Sequence, residues 1–330
     1  MNPAPPAAAS AAPALRAQRP YGALRRLTQF ASLGVFVLIP LLGIFRIDLA
    51  SGVLLVCEVP VSLRNFPAIA GLALVLATAP LLMITTIGTL WCGWACPQNL
   101  VSEWANQRTR RLLGSRADVN VEGAGLVVAP SKNRIVNWLR LGAELALASL
   151  LLGCIPLFYF LPPAQLWSLL SSGDDAQFSR FVGRLYLFCA GLAFVDIALV
   201  RYFLCNYACL FRFGTLLFGS RDTVHVHYDA TRSADCAKCN YCRVSCVTAI
   251  NPTAIGRYDR CINCAACIDA CGQLHAKASP PASGLLRFIG REAAPDGRPR
   301  GALDQVLARL GWHGLLFIGG GALLAYGLSH

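Results

Sequence analysis

Long apolar runs separated by short polar, basic segments dominate the chain, and each is about the 20 residues a helix needs to cross a bilayer. The first covers Leu27–Phe45, the second Phe66–Trp91, the third Val136–Phe160, the fourth Arg180–Leu204 and a fifth Leu310–Leu328. Gly319–Gly321 weakens the fifth as a helix. Between the fourth and fifth runs the pattern changes to short polar stretches, with His225 and His227 alternating around Val226 as on one face of a strand. The pattern predicts an α-helical polytopic membrane protein with five transmembrane helices and an α+β domain inserted before the last.

Composition agrees, at 55% hydrophobic, 14% charged and a mean hydropathy of +0.52. A soluble domain carries nearer a quarter charged residues. The formal charge of +12 could suit nucleic acid, but the basic residues sit in loops beside the spans, which is the footprint of membrane topology. No nucleic-acid partner is expected. Residues 1–14, an Ala/Pro tail, cannot bury a core and are expected to be disordered. Arg16, Arg19, Arg25 and Arg26 follow, with no acid in the first 26 residues. The first run exceeds a signal-peptide core and no A-x-A site follows, so it reads as a retained span. Residues 46–65 balance two Arg against two acids and read as an external loop holding Cys57. Residues 92–135 carry six basic and three acidic residues, and 201–302 carry thirteen and seven. The loop 161–179 has Asp174 and Asp175 and no basic residue. Positive charge inside then places the N-terminus and the inserted domain in the cytoplasm of a bacterial inner membrane, and the C-terminus in the periplasm. The expected divisions are 1–26 (basic tail), 27–91 (spans one and two), 92–135 (cytoplasmic loop) and 136–204 (spans three and four). They continue as 205–235 (cytoplasmic segment), 236–271 (inserted domain), 272–309 (linker) and 310–328 (span five).

Fifteen cysteines refine the picture. Eight form two runs, Cys236, Cys239, Cys242, Cys246 and Cys261, Cys264, Cys267, Cys271. Each reads C-x2-C-x2-C-x3-C, the pattern of bacterial two-cluster ferredoxins, in which the fourth cysteine of one run ligates the other cluster. The expected ligand sets are Cys236, Cys239, Cys242 with Cys271, and Cys261, Cys264, Cys267 with Cys246, for two [4Fe-4S] clusters. Zinc usually takes its cysteines as separated pairs, and a disulfide framework suits a secreted domain. Thiols that hold iron must stay reduced, in line with a cytoplasmic site.

Four more cysteines form two C-x3-C pairs. Trp91-Cys92-Gly93-Trp94-Ala95-Cys96-Pro97 follows span two, and Leu204-Cys205-Asn206-Tyr207-Ala208-Cys209-Leu210 follows span four. The duplication predicts that spans one–two and three–four are parallel repeats. Cysteines at i and i+4 share one face of a helix. Two facing pairs would gather Cys92, Cys96, Cys205 and Cys209 into a third metal or redox centre, either copper or another iron–sulfur cluster. The alternative is small buried thiols at helix ends. Cys57, Cys154 and Cys189 read as structural. In the spans, Arg140 and Glu144 are one turn apart and read as an ion pair. Asp196 and Arg184 read as structural pairing ahead of a proton or quinone role. His225 and His227 alone do not close a metal site.

With these residues laid out, the chain resembles the FixG/CcoG (RdxA) family of membrane polyferredoxins, assembly proteins of cytochrome cbb3 oxidase. The matching residues are Trp91 to Gln98, Cys205-x3-Cys209 with Arg212-Phe213, Asp222-Thr223, Tyr228-Asp229-Ala230, Cys264 to Cys271, and Gly284-Leu285-Leu286-Arg287. The resemblance covers about residues 25–328. Arg25 to Phe30 is also similar to the related NapH-like quinol dehydrogenase ferredoxins. The resemblance implies electron transfer through two [4Fe-4S] clusters, with reduction of Cu(II) to Cu(I) in the oxidase-assembly branch. It implies oxidase assembly factors, redox proteins or the quinone pool as partners. Quinol oxidation, or redox sensing without turnover, are the competing expectations. Leu210 and Val247 stand where the family usually has Pro, and the sequence stops after span five, without the family's external immunoglobulin-like domain. These departures weigh on copper delivery more than on electron transfer.

Overall fold

A computed structural model of the chain describes residues 21–48, 52–62, 64–114, 117, 126–171, 176–218, 223–256, 259–278, 282–289 and 302–329. The N-terminal tail with Arg16 and Arg19, the acids Asp174 and Asp175, and Asp222 lie outside the described residues. The elements run α1 (Tyr21–Leu41), β1 (Phe45–Asp48), β2 (Val53–Val56), β3 (Val59–Ser62), α2 (Phe66–Thr86), α3 (Leu90–Trp94) and α4 (Pro97–Leu113). Then come α5 (Ile135–Phe158), α6 (Pro163–Ser171), α7 (Ala176–Val195) and α8 (Leu210–Phe218). They end with β4 (His225–Tyr228), α9 (Tyr241–Val244), α10 (Ala266–Ala276), β5 (Leu286–Ile289) and α11 (Ala302–Ser329).

Among the described residues, five helices are long and apolar enough to cross a membrane: Tyr21–Leu41, Phe66–Thr86, Ile135–Phe158, Ser179–Val200 and Gly311–Ser329. Their large side chains face outward, among them Leu27, Phe30, Leu147, Leu151, Leu187 and Phe188. Outward-facing apolar side chains over a full bilayer thickness need lipid, so this is an integral membrane protein.

The spans hold together through small residues, as helices must where lipid removes the hydrophobic drive to associate. A Cβ on Gly71 of α2 would lie 2.4 Å from the Leu324 amide nitrogen of α11, and one on Gly327 would lie 2.4 Å from that of Ala68. Asn65 caps α2 at the Ala68 amide and donates to the Gly327 carbonyl, 2.7 Å. Gly153 of α5 comes almost as close to Ala190 of α7, where a Cβ would lie 2.8 Å from the Ala190 Cα. Glycines of span five thus form part of its packing seam, and its break comes earlier, at Gly311 (φ +51°).

Three expectations change. Span one is shifted toward the N-terminus, because its polar residues Arg25 and Gln29 are covered by protein. Residues 45–62 form an antiparallel meander, β1-β2-β3, rather than a plain loop. Alternation along the strands accounts for it, with Leu54, Val56 and Val61 buried against Ala68 near the start of α2. Asp196 and Arg184 do not pair. Twelve residues of helix separate them by about 18 Å, and Asp196 instead accepts from Gln98, 2.6 Å. Arg140 and Glu144 do pair, at 3.1 Å.

Replacing Gly71 or Gly327 with Leu is expected to lower stability in detergent by about 1–3 kcal/mol or more through overpacking. Gly321→Leu, where nothing lies within 4 Å of the new Cβ, should be near neutral. Thermal unfolding of the three purified variants checks this.

Candidate iron–sulfur and thiol centres

The two long cysteine runs fold alike. Lys238 and Asn240 have left-handed φ of 49° and 62°, and the equivalent Asn263 and Ala265 have 53° and 64°. Each pair brackets the second cysteine of its run and leads directly into a helix, α9 or α10. Non-glycine residues in this region store strain, and such strain gathers at ligand sites. Cys236, Cys239, Cys242 and Cys271 line one cavity of about 230 Å³, and the amide of Leu285 donates to the Cys271 sulfur, 3.3 Å. Around the other run, burial pushes the Cys267 thiol up, with further push from Cys264, Cys261 and Cys246. Burial likewise pushes Cys261 up to about 12. Cys271 thus stands with Cys236, Cys239 and Cys242, and Cys246 lies close enough to Cys267 to act on its thiol. Strands β4 and β5 close the domain as an antiparallel pair, with His225 opposite Ile289 and Tyr228 opposite Leu286.

The C-x3-C pairs also come together, though not on continuous helix faces. Cys92 lies in α3, the helix breaks at Ala95, and Cys96 is extended (φ −69°, ψ 119°) ahead of α4. Cys205 lies in a π-helical turn, Leu204–Ala208, and Cys209 is extended (φ −81°, ψ 115°) ahead of α8. The expected i, i+4 face is replaced by the same helix break at both sites. Pro97 disfavours helix at the residue before it, which accounts for Cys96.

All four thiols line one cavity of about 40 Å³, with Thr89, Asn99, Tyr202, Arg212, Arg260 and Ile262 among its walls. That is too small for an organic molecule. Asn99 Nδ2 and Tyr202 Oη are buried there without a hydrogen-bond partner. Buried donors normally find acceptors, and sulfur or thiolate charge in the cavity would supply them. Burial raises Cys92 and pushes Cys205 up to about 12. As free thiolates the set would repel itself, so the donor chemistry fits a positively charged metal centre. Among the described residues, no three His, Cys, Asp or Glu side chains converge tightly enough for a single ion.

Residues with no role at the site legible in the sequence set this geometry. Arg25, 6% exposed, donates to the Gly93 carbonyl (2.8 Å) and pairs with Glu103 (2.7 Å). Gln29 donates to the same carbonyl (3.2 Å), and Ser32 to that of Ala95 (2.6 Å). Arg201 (φ +40°), 1% exposed, donates to the Ile197 carbonyl, Asn106 and Thr109, which ties the second cysteine turn to α4. The inserted domain docks on the first turn. A Cβ on Gly93 would lie 2.3 Å from the Ile262 carbonyl, and Trp94 Nε1 donates to the Asn263 carbonyl, 2.9 Å. Asn263 in turn donates to Thr89 Oγ1 and the Val224 carbonyl. Asp269 accepts from the Tyr21 and Gly22 amides, capping α1 with a carboxylate where the helix dipole favours one. Of the single cysteines, Cys57 is exposed in the β2–β3 turn and Cys154 donates to the Leu150 carbonyl, 3.5 Å.

A family model described as a 4Fe-4S binding domain matches residues 69–116. The chain is 25% identical to Protein RdxA of Cereibacter sphaeroides over 283 residues, covering 78% of this chain and 58% of that protein. It is 25% identical to the nitrogen fixation protein FixG of Rhizobium meliloti over 309 residues, covering 84% and 55%. It is 31% identical to the methylamine utilization ferredoxin-type protein MauN of Methylorubrum extorquens over 242 residues, covering 70% and 76%. This chain belongs to the FixG/RdxA family. It is a membrane ferredoxin-type protein of that family, spanning a little over half the length of RdxA and FixG. No solved structure matches it. The region of the 4Fe-4S model contains Cys92 and Cys96 and none of the eight cysteines of the inserted domain.

Arg25→Leu is expected to cost about 1–3 kcal/mol, since it leaves the half-buried Glu103 carboxylate without its partner and removes one of the two donors to the Gly93 carbonyl. The exposed neighbour Arg26→Leu should stay within about 0.5 kcal/mol. Detergent-solubilised unfolding of both variants measures the contrast.

Proposed function

We propose that this FixG/RdxA-family protein is a membrane-anchored electron relay with three iron–sulfur centres. Two [4Fe-4S] clusters would be held by Cys236, Cys239, Cys242, Cys271 and by Cys261, Cys264, Cys267, Cys246. A third centre would be held by Cys92, Cys96, Cys205 and Cys209. Such clusters supply one-electron chemistry when bound; the chain supplies ligands, burial and backbone contact between sites. The observation that carries the reading is the Gly93 turn, which bears the first pair and presses directly on Ile262 and Cys264 of the inserted domain. The 4Fe-4S family model over Cys92 and Cys96, with the unpartnered Asn99 and Tyr202 donors, supports iron–sulfur at the third site. The basic loops support a cytoplasmic inserted domain. Anaerobically purified protein should hold about twelve irons per chain, and Cys92→Ala or Cys205→Ala about eight with the other clusters' absorbance kept. Eight irons in the unaltered protein would remove the third centre.

Two finer readings concern what exchanges electrons with the relay. Reduction of Cu(II) to Cu(I), implied by the family resemblance, suits soft thiolates at the membrane face and oxidase-related partners. A quinol donor is favoured by a cavity of about 360 Å³ between α1, α4, α5 and α7. Its walls are apolar except for Gln98 and Asp196, whose Oδ1 is buried without a partner. Asp196 begins a π-helical turn, Asp196–Val200, a feature frequent at functional sites. One anaerobic experiment separates them. A short-chain quinol should bleach the cluster absorbance, and do so about tenfold more slowly in Asp196→Asn. Under the copper reading, dithionite-reduced protein should instead convert Cu(II) to Cu(I) as it reoxidises, and Cys205→Ala should not.

A further inference from the structure

Arg212 stands between two of the thiol sets. It lies on α8, three residues past Cys209, and is half-buried. Its side chain lines the small cavity shared with Cys92, Cys96, Cys205 and Cys209. It also lines a larger cavity of about 500 Å³ that Cys261 and Asn263 reach from the inserted domain. Nη2 donates to the Asp259 carbonyl, 2.7 Å, two residues before Cys261. A membrane-side helix is thereby tied to the loop that carries a cysteine of the inserted domain. The other guanidinium in the small cavity's wall, Arg260, is turned onto Tyr207, 5.7 Å from the ring centre and donating to its hydroxyl. By contrast, the walls around Cys236, Cys239, Cys242 and Cys271 contain Lys238 and Arg243 but not Arg212.

The geometry points to Arg212 as the residue that electrostatically couples the membrane-face centre to the nearer cluster of the inserted domain. This rests on the three-centre reading. A guanidinium stays protonated throughout. Each centre becomes one unit more negative on gaining an electron, so a fixed cation in a low-dielectric site stabilises the reduced form of both neighbours and raises both potentials. The cation also favours the electron on whichever of the two it approaches, while its bond to Asp259 keeps their separation fixed. Burial pushes the Arg212 pKa down, and the charges of Cys92 and Cys261 pull it back up, in keeping with a position between them. The electron transfer itself balances without further reactants: one centre loses one electron, the other gains it, and no proton or bond changes hands at Arg212.

Redox titration of the full-length protein in detergent, read by electron paramagnetic resonance with iron analysis, tests this. Arg212→Gln should lower the midpoint potentials of the Cys92 set and the Cys261 set and leave that of the Cys236 set unchanged. Arg212→Lys should recover most of the shift, because it keeps the charge. Unchanged potentials in Arg212→Gln, an equal shift of all three centres, or loss of iron from both variants would overturn the coupling role; the last would make Arg212 structural. An eight-iron count in the unaltered protein would overturn the third centre instead, and Arg212 would then be judged on the Cys261 cluster against the Cys236 cluster.

Discussion

A helix broken close to the membrane leaves backbone carbonyls that lipid cannot satisfy, so the break survives only where protein supplies donors. The turn at residues 93–96 is such a break, and α1 supplies what it lacks. Arg25 and Gln29 converge on the Gly93 carbonyl and Ser32 takes that of Ala95. Once α1 is held there, its N-terminus presents amides with no partner inside the helix, and Asp269 of the inserted domain accepts from them. The same turn offers Gly93 as a place where the loop Ile262–Cys264 can approach without meeting a side chain. Span one, the first cysteine pair and the inserted domain are thus parts of one closed set of contacts. Each satisfies a polar group that another exposes.

The parts of the site that were legible in the sequence are those whose geometry is local. Eight cysteines at fixed short spacings carry their own wrapping, and the paired left-handed residues of each run follow from the need to turn a short chain around a centre. The placement of Cys271 beside Cys236, Cys239 and Cys242 is legible for the same reason, since the spacing of the last cysteine sends it away from its own run. The C-x3-C pairs were legible as a meeting of four thiols but not in their conformation. Helical spacing assumes an unbroken helix, and Pro97 was the local sign that Cys96 would be extended. Cys209 has no such sign, because Leu210 follows it, and only tertiary contacts hold it extended.

Polar residues in apolar runs were harder to read, because charge at a membrane border has two meanings. Arg25 and Arg26 look alike in the sequence, yet one is buried in an ion pair and the other faces solvent. The discriminating sign was the spacing of Arg25, Gln29 and Ser32 at i, i+4 and i+7, a polar stripe on an otherwise apolar helix. The meander at residues 45–62 was hidden differently. Its strands are four residues each, and runs that short carry little periodicity of their own. They are stable because the start of α2 and the end of α11 give Leu54, Val56 and Val61 something to pack against.

The two cysteine pairs reach the same backbone shape by different means. The first holds its second cysteine with a proline and hydrogen bonds from α1. The second uses a π-helical turn and the strained, buried Arg201, whose partners Asn106 and Thr109 lie on α4, the helix that begins after Cys96. A left-handed arginine at a buried site costs of order 1–3 kcal/mol, and that cost is offset by the hydrogen bonds it makes to α4. The second pair therefore takes its position from the helix of the first, so the two cysteine turns cannot drift apart independently. Four thiols gathered from two separate turns need such a tie to stay together. Here it runs through backbone strain and buried polar bonds.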